Sequence, residues 1–376
     1  MISFELDEDV LAVQETVRKF AESELREGMR EAETAGGVSD AIVTRYRELG
    51  LSTLELPEQH GGLDLGMITK VIVEEELAFG DAGMAAAIDR GGLAAYALLE
   101  LGTDAQKKQH LTEGQNGTVA FWEPGQRQSL GDPETTVTED GGGFRINGKK
   151  CLVSNAGLVD WYVVFGTVDS SRGWEGVRAL LVPKDAPGLT IGEPDEKVGL
   201  WALRTATLTL EDVHVPKENL LSGSASVREG AERLMNRVDL VNAARSVGLA
   251  RAAYEYSVGY AQERQAFGSP IAHHQAVAFM LADMSILVDS ARVMLWQAAF
   301  LVDKGENARK EVAQALVQAN TVTSKITIDA VQVLGGAGFI RDYPVEKWMR
   351  DARALSLLSG TDEAQNLLIA DAIMAA

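Results

Sequence analysis

The sequence predicts a mainly α-helical protein with a β middle domain. Three observations support this prediction. Apolar residues recur at three- and four-residue spacing early in the chain, short β-branched and aromatic runs follow, and the helical spacing then returns and lasts to the end. The period changes near residues 117 and 222. We therefore predict an N-terminal helical domain over residues 1–117, a middle β-domain over 118–222 and a C-terminal helical bundle over 223–376.

The N-terminal helices are predicted from four apolar patterns. These patterns cover residues 10–20, residues 41–51 behind Asp40, residues 67–79, and residues 94–101 before Gly102. Asp40 and Gly102 are residue types that favour a helix start and a helix stop.

The strands of the middle region are predicted from five short runs rich in β-branched and aromatic residues. They cover residues 136–138, 144–147, 161–165, 179–182 and 205–210. Turn residues separate the runs, among them a Gly triplet at 141–143 and the Asn147-Gly148 pair. Closely spaced strands with such turns predict a small barrel or sandwich.

The last region contains long segments of helical spacing. They cover residues 226–264, a stretch from Pro270 to near Gly305, residues 308–334, and two shorter stretches behind Pro344 and Gly360. Segments near thirty residues exceed ordinary globular helices and predict an elongated bundle.

Composition excludes several classes of protein. The formal net charge is −20, which argues against binding to nucleic acid or to an anionic membrane surface. A single cysteine excludes an intrachain disulfide framework and any multi-cysteine metal site, and we predict no metal. No apolar run reaches the roughly 18 residues of a membrane span, and the acidic N-terminus lacks the features of a signal peptide. We therefore expect a cytoplasmic protein.

Arg264 opens the most specific motif of the chain, a string that continues through Phe267-Gly268 and is followed by Gln275. A guanidinium binds a pyrophosphate well because it is planar, forked and always charged. An aromatic residue beside it is able to cover a flat ring. The alternative is a helix C-terminus with Arg near the negative dipole end and Gly ending the turn.

A second motif begins at Gln332 and contains Gly335, Gly336 and Gly338. Small residues let a backbone approach a phosphate or an adenosine closely, and Gln332 carries an amide donor. The alternative is a Gly-rich helix stop. The glycines do not fit G-x-G-x-x-G behind a strand, which argues against a Rossmann fold.

In this order, the two strings resemble the acyl-CoA dehydrogenase flavoprotein family, and the resemblance covers nearly the whole chain. It implies a C-terminal four-helix bundle and non-covalent FAD between the β-domain and the bundle, partly across a subunit interface. It also implies oxidation of the Cα–Cβ bond of an acyl thioester. By resemblance, the cofactor contacts are Trp122, Ser154, Arg264, Phe267, Gln275, Gln332, Gly335, Gly336, Thr361 and Glu363.

The catalytic base is the main departure from the family pattern. Relatives carry a Glu before a Gly-Thr pair, and that Glu removes the substrate α-proton; this chain has Ser359 there. A neutral serine is a very poor base unless another group activates it. Some relatives carry the base on the first long bundle helix, at the position of Val238. The adjacent Asp239, where relatives often have Arg, is the candidate relocated base; the alternative is a helix acid paired with Arg237, Arg245 or solvent.

A second departure is Trp122, which stands where the family usually has a Thr near the flavin. A tryptophan there either stacks on the flavin, blocks substrate, or simply repacks the strand. Trp201 and Leu203 also replace an Arg and a Ser that are common in relatives. These changes predict an altered acyl or carrier pocket beside intact distal FAD motifs.

The sequence therefore leads to one main hypothesis and three alternatives. The main hypothesis is an FAD-dependent acyl-CoA or acyl-carrier thioester dehydrogenase acting on the CH–CH group. The alternatives are the FAD-binding subunit of a heteromer whose partner carries the base, a different flavin reaction such as oxygen activation, and a non-catalytic interaction protein. Expected partners are the acyl thioester, a second copy in a dimer or dimer of dimers or a paralogous subunit, and an electron-transfer flavoprotein.

Overall fold

A computed structural model of the protein describes residues 6–111, 116–125 and 130–375. Helices at both ends enclose a β middle domain, which confirms the predicted fold class. The first helices are α1 (Glu8–Phe20), α2 (Glu27–Ala35), α3 (Asp40–Glu48), α4 (Gly66–Ile88), α5 (Gly92–Leu101) and α6 (Asp104–His110), with a π-helical turn, Ala21–Arg26, between α1 and α2. Within the described ranges, every helix is too short or too polar to cross a bilayer.

The middle domain is built on one seven-stranded sheet. Its strands are β1 (Gly117–Ala120), β2 (Thr136–Glu139), β3 (Gly143–Ser154), β4 (Trp161–Thr167), β5 (Val177–Pro183), β6 (Leu189–Pro194) and β7 (Thr205–Pro216). The strand order is β1-β4-β2-β3-β7-β6, with β5 also paired to β4. The long β3 and β7 pair antiparallel, and their register sets Ser154 opposite Thr205.

The C-terminal region contains the longest helices. They are α7 (Val227–Glu263), α8 (Gln275–Asp303), α9 (Arg309–Leu334), α10 (Val345–Leu355) and α11 (Asp362–Met374), with a small hairpin of β8 (Gln265–Ala266) and β9 (Ser269–Pro270) after α7. Helix α7 packs against both α9 and α4. The bundle therefore joins the N-terminal helices along the whole middle of α7.

Buried charges fix this junction. The consecutive acids Glu74, Glu75 and Glu76 on α4 are all buried. Glu74 pairs with Arg245 of α7 at 2.7 Å, and Glu75 pairs with Arg251 at 2.7 Å. A buried pair of this kind tolerates no loss of one partner, so α4 and α7 hold a fixed register.

Candidate functional site

Trp122 lies where the middle domain meets the bundle, and three cavities surround it. Its side chain is only 9% exposed, and its Nε1–H donates to the Leu358 carbonyl at 3.2 Å. This bond fixes the segment behind β1 to the turn between α10 and α11. The cavities have volumes of about 180, 40 and 200 Å³.

Ser359 lines the cavity of about 180 Å³ together with Arg309 and Gln365. The serine is 4% exposed, and its Oγ accepts a hydrogen bond from Asn242 Nδ2 at 2.7 Å. Its carbonyl accepts from Gln365 Nε2 at 3.3 Å. Because Asn242 supplies a donor, the hydroxyl proton of Ser359 is available to an acceptor.

The carboxylate beside it is Asp239, which is fully buried on α7 and whose Oδ1 has no hydrogen-bond partner among the described residues. Its Oδ2 also forms an ion pair with Arg309 Nη1 and accepts from Gln365 at 3.4 Å. Burial raises the pKa of Asp239 above its ordinary value, while Arg309 and the hydrogen bonds from Ser359 and Gln365 act in the opposite direction. Asp239 does not line the cavity itself, so Ser359 connects the cavity to the carboxylate.

The sequence alternative for Asp239, in which it pairs with Arg237, Arg245 or solvent, is wrong in its partners. Arg237 pairs with Glu100 at 2.7 Å, and Arg245 pairs with Glu74 at 2.7 Å. Arg237 lies two residues before Asp239 on the helix, and residues two apart do not face each other. Its cation comes instead from Arg309, at the start of α9.

The cavity of about 200 Å³ has the properties that a flat heteroaromatic ring requires. Its wall is mostly apolar and includes Leu152, Val198 and Leu357, which are all exposed. Thr205 also lines it, and this buried hydroxyl has no hydrogen-bond partner among the described residues. A ring with hydrogen-bonding edges would cover the leucines and satisfy the threonine, so these residues suit an isoalloxazine.

The predicted cofactor residues nearest to this junction fall into two places. Trp122 and Ser154 line the cavity of about 40 Å³. Thr361 caps α11, where its Oγ1 accepts from Ala364 N at 3.3 Å, and Glu363 lies exposed in the first turn of that helix. Hydrogen bonds from the backbone N–H of Glu363 and from Thr361 lower the pKa of the Glu363 carboxyl. Their contact with a cofactor stays a prediction.

The distal predicted residues lie elsewhere, on the surface of the bundle. All six are exposed, and none lines the cavities around Trp122: Arg264, Phe267, Gln275, Gln332, Gly335 and Gly336. Phe267 is 98% exposed at φ 52° in the hairpin behind α7. An edge contact of 6.0 Å between Tyr260 and Tyr343 joins the regions of the two motifs.

Both helix-end alternatives are correct as local structure. Arg264 is the C-cap of α7, with its N–H bonded to the Tyr260 carbonyl, and Gly335 is the C-cap of α9 at φ 60°. Helix ends leave free carbonyl and amide groups, so a cap does not exclude a ligand contact.

Several residues of the site were missed by the sequence reasoning. Asp89, Tyr96, Asn155 and Arg245 line the cavity of about 40 Å³. Asn155 carried a signal, because it lies in the left-handed region at φ 55°, and Asn before Ala-Gly behind a strand is typical of such a position. Asp89 directly follows α4, Tyr96 lies on α5 and Arg245 lies on α7. Nothing in the sequence spacing of these three residues indicates that they meet.

Comparison with known proteins agrees with this architecture. Residues 7–118, 118–213 and 230–374 match the models of the N-terminal, middle and C-terminal domains of acyl-CoA dehydrogenase. The short-chain specific acyl-CoA dehydrogenase of Rattus norvegicus mitochondria is 35% identical over 98% of this chain and 90% of its own length.

Two solved structures are also similar. Butyryl-CoA dehydrogenase from Megasphaera elsdenii has a TM-score of 0.94 and 30% identity, covering 99% of this chain and 100% of its own. The prolyl acyl carrier protein oxidase AnaB has a TM-score of 0.93 and 26% identity, covering 98% of this chain and 100% of its own. With all three domain models matched in order, this chain belongs to the acyl-CoA dehydrogenase family of FAD-dependent oxidoreductases.

Proposed function

We propose that this chain oxidises the Cα–Cβ bond of an acyl thioester and that Asp239, acting through Ser359, is the base. One observation supports the proposal: a buried carboxylate with a raised pKa, whose Oδ1 has no hydrogen-bond partner among the described residues, lies beside the hydroxyl that stands at the family's base position. Ser359 has no carboxylate of its own, but the neighbouring side chain of Asp239 supplies one. Arg309 and Asn242 hold the two groups in place.

The proton path follows from these contacts. The α-proton of the thioester passes to Ser359 Oγ as the serine's own proton passes to Asp239, and a Cα–Cβ double bond forms as hydride leaves Cβ. FAD supplies the hydride acceptor when bound. Asn242 keeps Ser359 Oγ oriented, and Arg309 stabilises the Asp239 anion before the transfer. A base with a raised pKa has more driving force for taking a proton than an ordinary Asp.

The cofactor would be held by two sets of residues. Trp122, Ser154 and the apolar cavity residues suit the ring, and the exposed Arg264 and Gln332 motifs suit the distal end of a neighbour's FAD.

An exposed apolar stripe supports self-association. It recurs every seven residues on α8, at Phe279, Ile286, Val293 and Phe300. Such a stripe is able to pack against a second copy. A homodimer or dimer of dimers is accordingly part of the proposal, as is a cytoplasmic location.

One alternative keeps a specific observation in its favour. The family's base is absent at Ser359 itself, so a paralogous subunit that supplies a Glu remains the second candidate.

The carrier is open between CoA and an acyl carrier protein, because both butyryl-CoA dehydrogenase and an acyl carrier protein oxidase are similar structures. An electron-transfer flavoprotein is the proposed electron acceptor.

The test is anaerobic titration of the flavin-loaded protein with butyryl-CoA, followed by flavin absorbance. We expect bleaching by the isolated chain and a loss of at least a hundredfold in its rate in Asp239→Asn. The matched control is Asp283→Asn, on the surface of α8. Bleaching that needs an added paralogous subunit would support the heteromer instead. Unchanged bleaching in Asp239→Asn would remove Asp239 from the mechanism.

A further inference from the structure

The cavity of about 40 Å³ has a charged wall on the side of the N-terminal helices. Asp89 and Tyr96 line this side, Arg245 reaches the cavity from α7, and Trp122 and Ser154 line the side of the β-domain. The volume has room for roughly three water-sized groups. Because it adjoins the predicted flavin residues and Asn242, it is a suitable place for the far end of a short acyl group.

Behind this wall, buried carboxyl groups outnumber buried cationic side chains. Lys70 lies 3.4 Å from Glu55, 3.1 Å from Glu74 and 3.8 Å from Asp89. The only other cation of this cluster, among the residues that the structure describes, is Arg245, which donates to Glu74 at 2.7 Å. Three carboxylates thus face two cations. Tyr46 and Tyr96 add no charge, because burial raises the pKa of both phenols well above its ordinary value.

Beside the cluster, Glu100 pairs with two arginines at 2.7 Å, Arg237 and the half-exposed Arg233. Arg237 stands 5.8 Å from the Tyr96 ring. Among the buried side chains of this region, carboxylates therefore outnumber cations by one, and the additional cation, Arg233, is half exposed to solvent. An uncompensated buried charge is costly, so a bound cation would be favoured there.

An independent observation concerns Asn155. This residue is 3% exposed, lines the same cavity, and its Oδ1 has no hydrogen-bond partner within the described part of the chain. Its Nδ2 reaches the Asp89 carbonyl at 3.5 Å, which leaves the oxygen as the free end of the amide. Buried acceptors of this kind normally have a donor, so the site lacks a group that brings N–H protons.

We infer that this cavity selects an acyl group bearing an amine, with the ammonium bound by Asp89 and the Asn155 oxygen. The inference rests on the proposed acyl-thioester function and specifies its substrate class. A carboxylate-bearing acyl group is disfavoured, because Arg245 is already paired and a second anion would double the excess charge. A purely apolar chain would leave Asn155 unsatisfied.

The test is calorimetric binding of three thioesters to the flavin-loaded protein at neutral pH. The probes are 4-aminobutyryl-CoA, pentanoyl-CoA, in which a methyl replaces the ammonium, and glutaryl-CoA, in which a carboxylate does. We expect 4-aminobutyryl-CoA to bind at least tenfold more tightly than pentanoyl-CoA, because hydrogen bonds to a charged group are the stronger kind. Binding is measured without turnover, so a failed dehydrogenation would not affect this result.

Two variants examine the assigned contacts. Asp89→Asn keeps an acceptor for the Gly92 N–H, which Asp89 now binds at 2.8 Å, and should bring the affinity ratio to within about twofold of one. Asn155→Gly suits the positive φ and should lower the ratio severalfold. Asp185→Asn, on an exposed turn, should leave the ratio unchanged. Equal or tighter binding of pentanoyl-CoA, tightest binding of glutaryl-CoA, or no binding of any probe would each overturn the inference.

Discussion

Replacing Ser359 by alanine tests the proposed proton relay, in which Ser359 passes a proton to Asp239, while leaving the fold intact. The change removes the hydroxyl that accepts from Asn242 Nδ2 at 2.7 Å and that, in the proposed mechanism, passes its proton to Asp239. Asp239 keeps Arg309 and Gln365, so the carboxylate stays in place but loses its connection to the cavity. Loss of a positioned acid–base group lowers rates by about 10²–10⁴. We expect a decrease of this size in flavin reduction by butyryl-CoA.

Ser359→Ala should lower the free energy of unfolding by less than it raises the activation free energy of flavin reduction. Asn242 loses the partner of its Nδ2, and one buried donor left without an acceptor corresponds to about 1–3 kcal/mol. Removal of the hydrogen bond from Ser359, which lowers the pKa of Asp239, should also raise that pKa further. The acidic limb of the residual activity should therefore shift to higher pH, which a purely structural defect would not cause.

The matched control is Ser356→Ala, three residues earlier in the same turn. Ser356 is also buried, and its Oγ donates to the Arg353 carbonyl at 3.0 Å, away from the cavities. The two variants should lose similar stability by thermal melting, while only Ser359→Ala should lose flavin reduction in anaerobic stopped-flow measurements. A Ser359→Ala rate within threefold of the unchanged protein would refute the relay. Equal rate losses in the two variants would attribute the effect to packing.

Three other predictions use the same structure. Flavin reduction should slow as the pH falls through the pKa of Asp239, which burial places above the ordinary value of about 3.9, and Asp239→Asn should abolish that pH dependence in stopped-flow profiles. Lys70→Met removes the cation beside the buried Glu55, Glu74 and Asp89 and should cost about 3–5 kcal/mol by denaturant unfolding, whereas the exposed Lys19→Met should cost almost nothing. Arg264→Ala should weaken FAD affinity about tenfold at unchanged apoprotein stability, whereas Arg228→Ala should retain the flavin.

The sequence was most informative where one period persisted. The apolar spacing placed α9 at residues 308–334, and the structure has Arg309–Leu334. It placed a helix directly behind Pro270, whereas α8 begins at Gln275 after a hairpin and a short turn. The difference arises because a proline marks a boundary without fixing how many residues precede the first helical hydrogen bond.

The site was predictable only in part, because its chemistry depends on contacts distant in sequence. Motif positions identified Ser359 and Asp239 as the two residues of interest, but not that they touch. The cation of Asp239 lies 70 residues away at Arg309, whereas the alternative considered from the sequence named arginines close to Asp239 in the chain. The acids Glu74 to Glu76 likewise resemble a solvated face in sequence, yet arginines from α7 and α8 cover them.

The partners of Asp239 also explain why a buried carboxylate is usable as a base at this position. Burial alone raises an acid's pKa by up to 3–5 units, and a carboxyl shifted that far would stay protonated at neutral pH. Arg309 and the hydrogen bonds from Ser359 and Gln365 counteract that shift without cancelling it, since the net direction remains upward. The group is therefore a stronger base than an exposed Asp and is still able to ionise. Arg309 binds the carboxylate on its Oδ2 side, so Oδ1, which has no hydrogen-bond partner among the described residues, is left to take the proton.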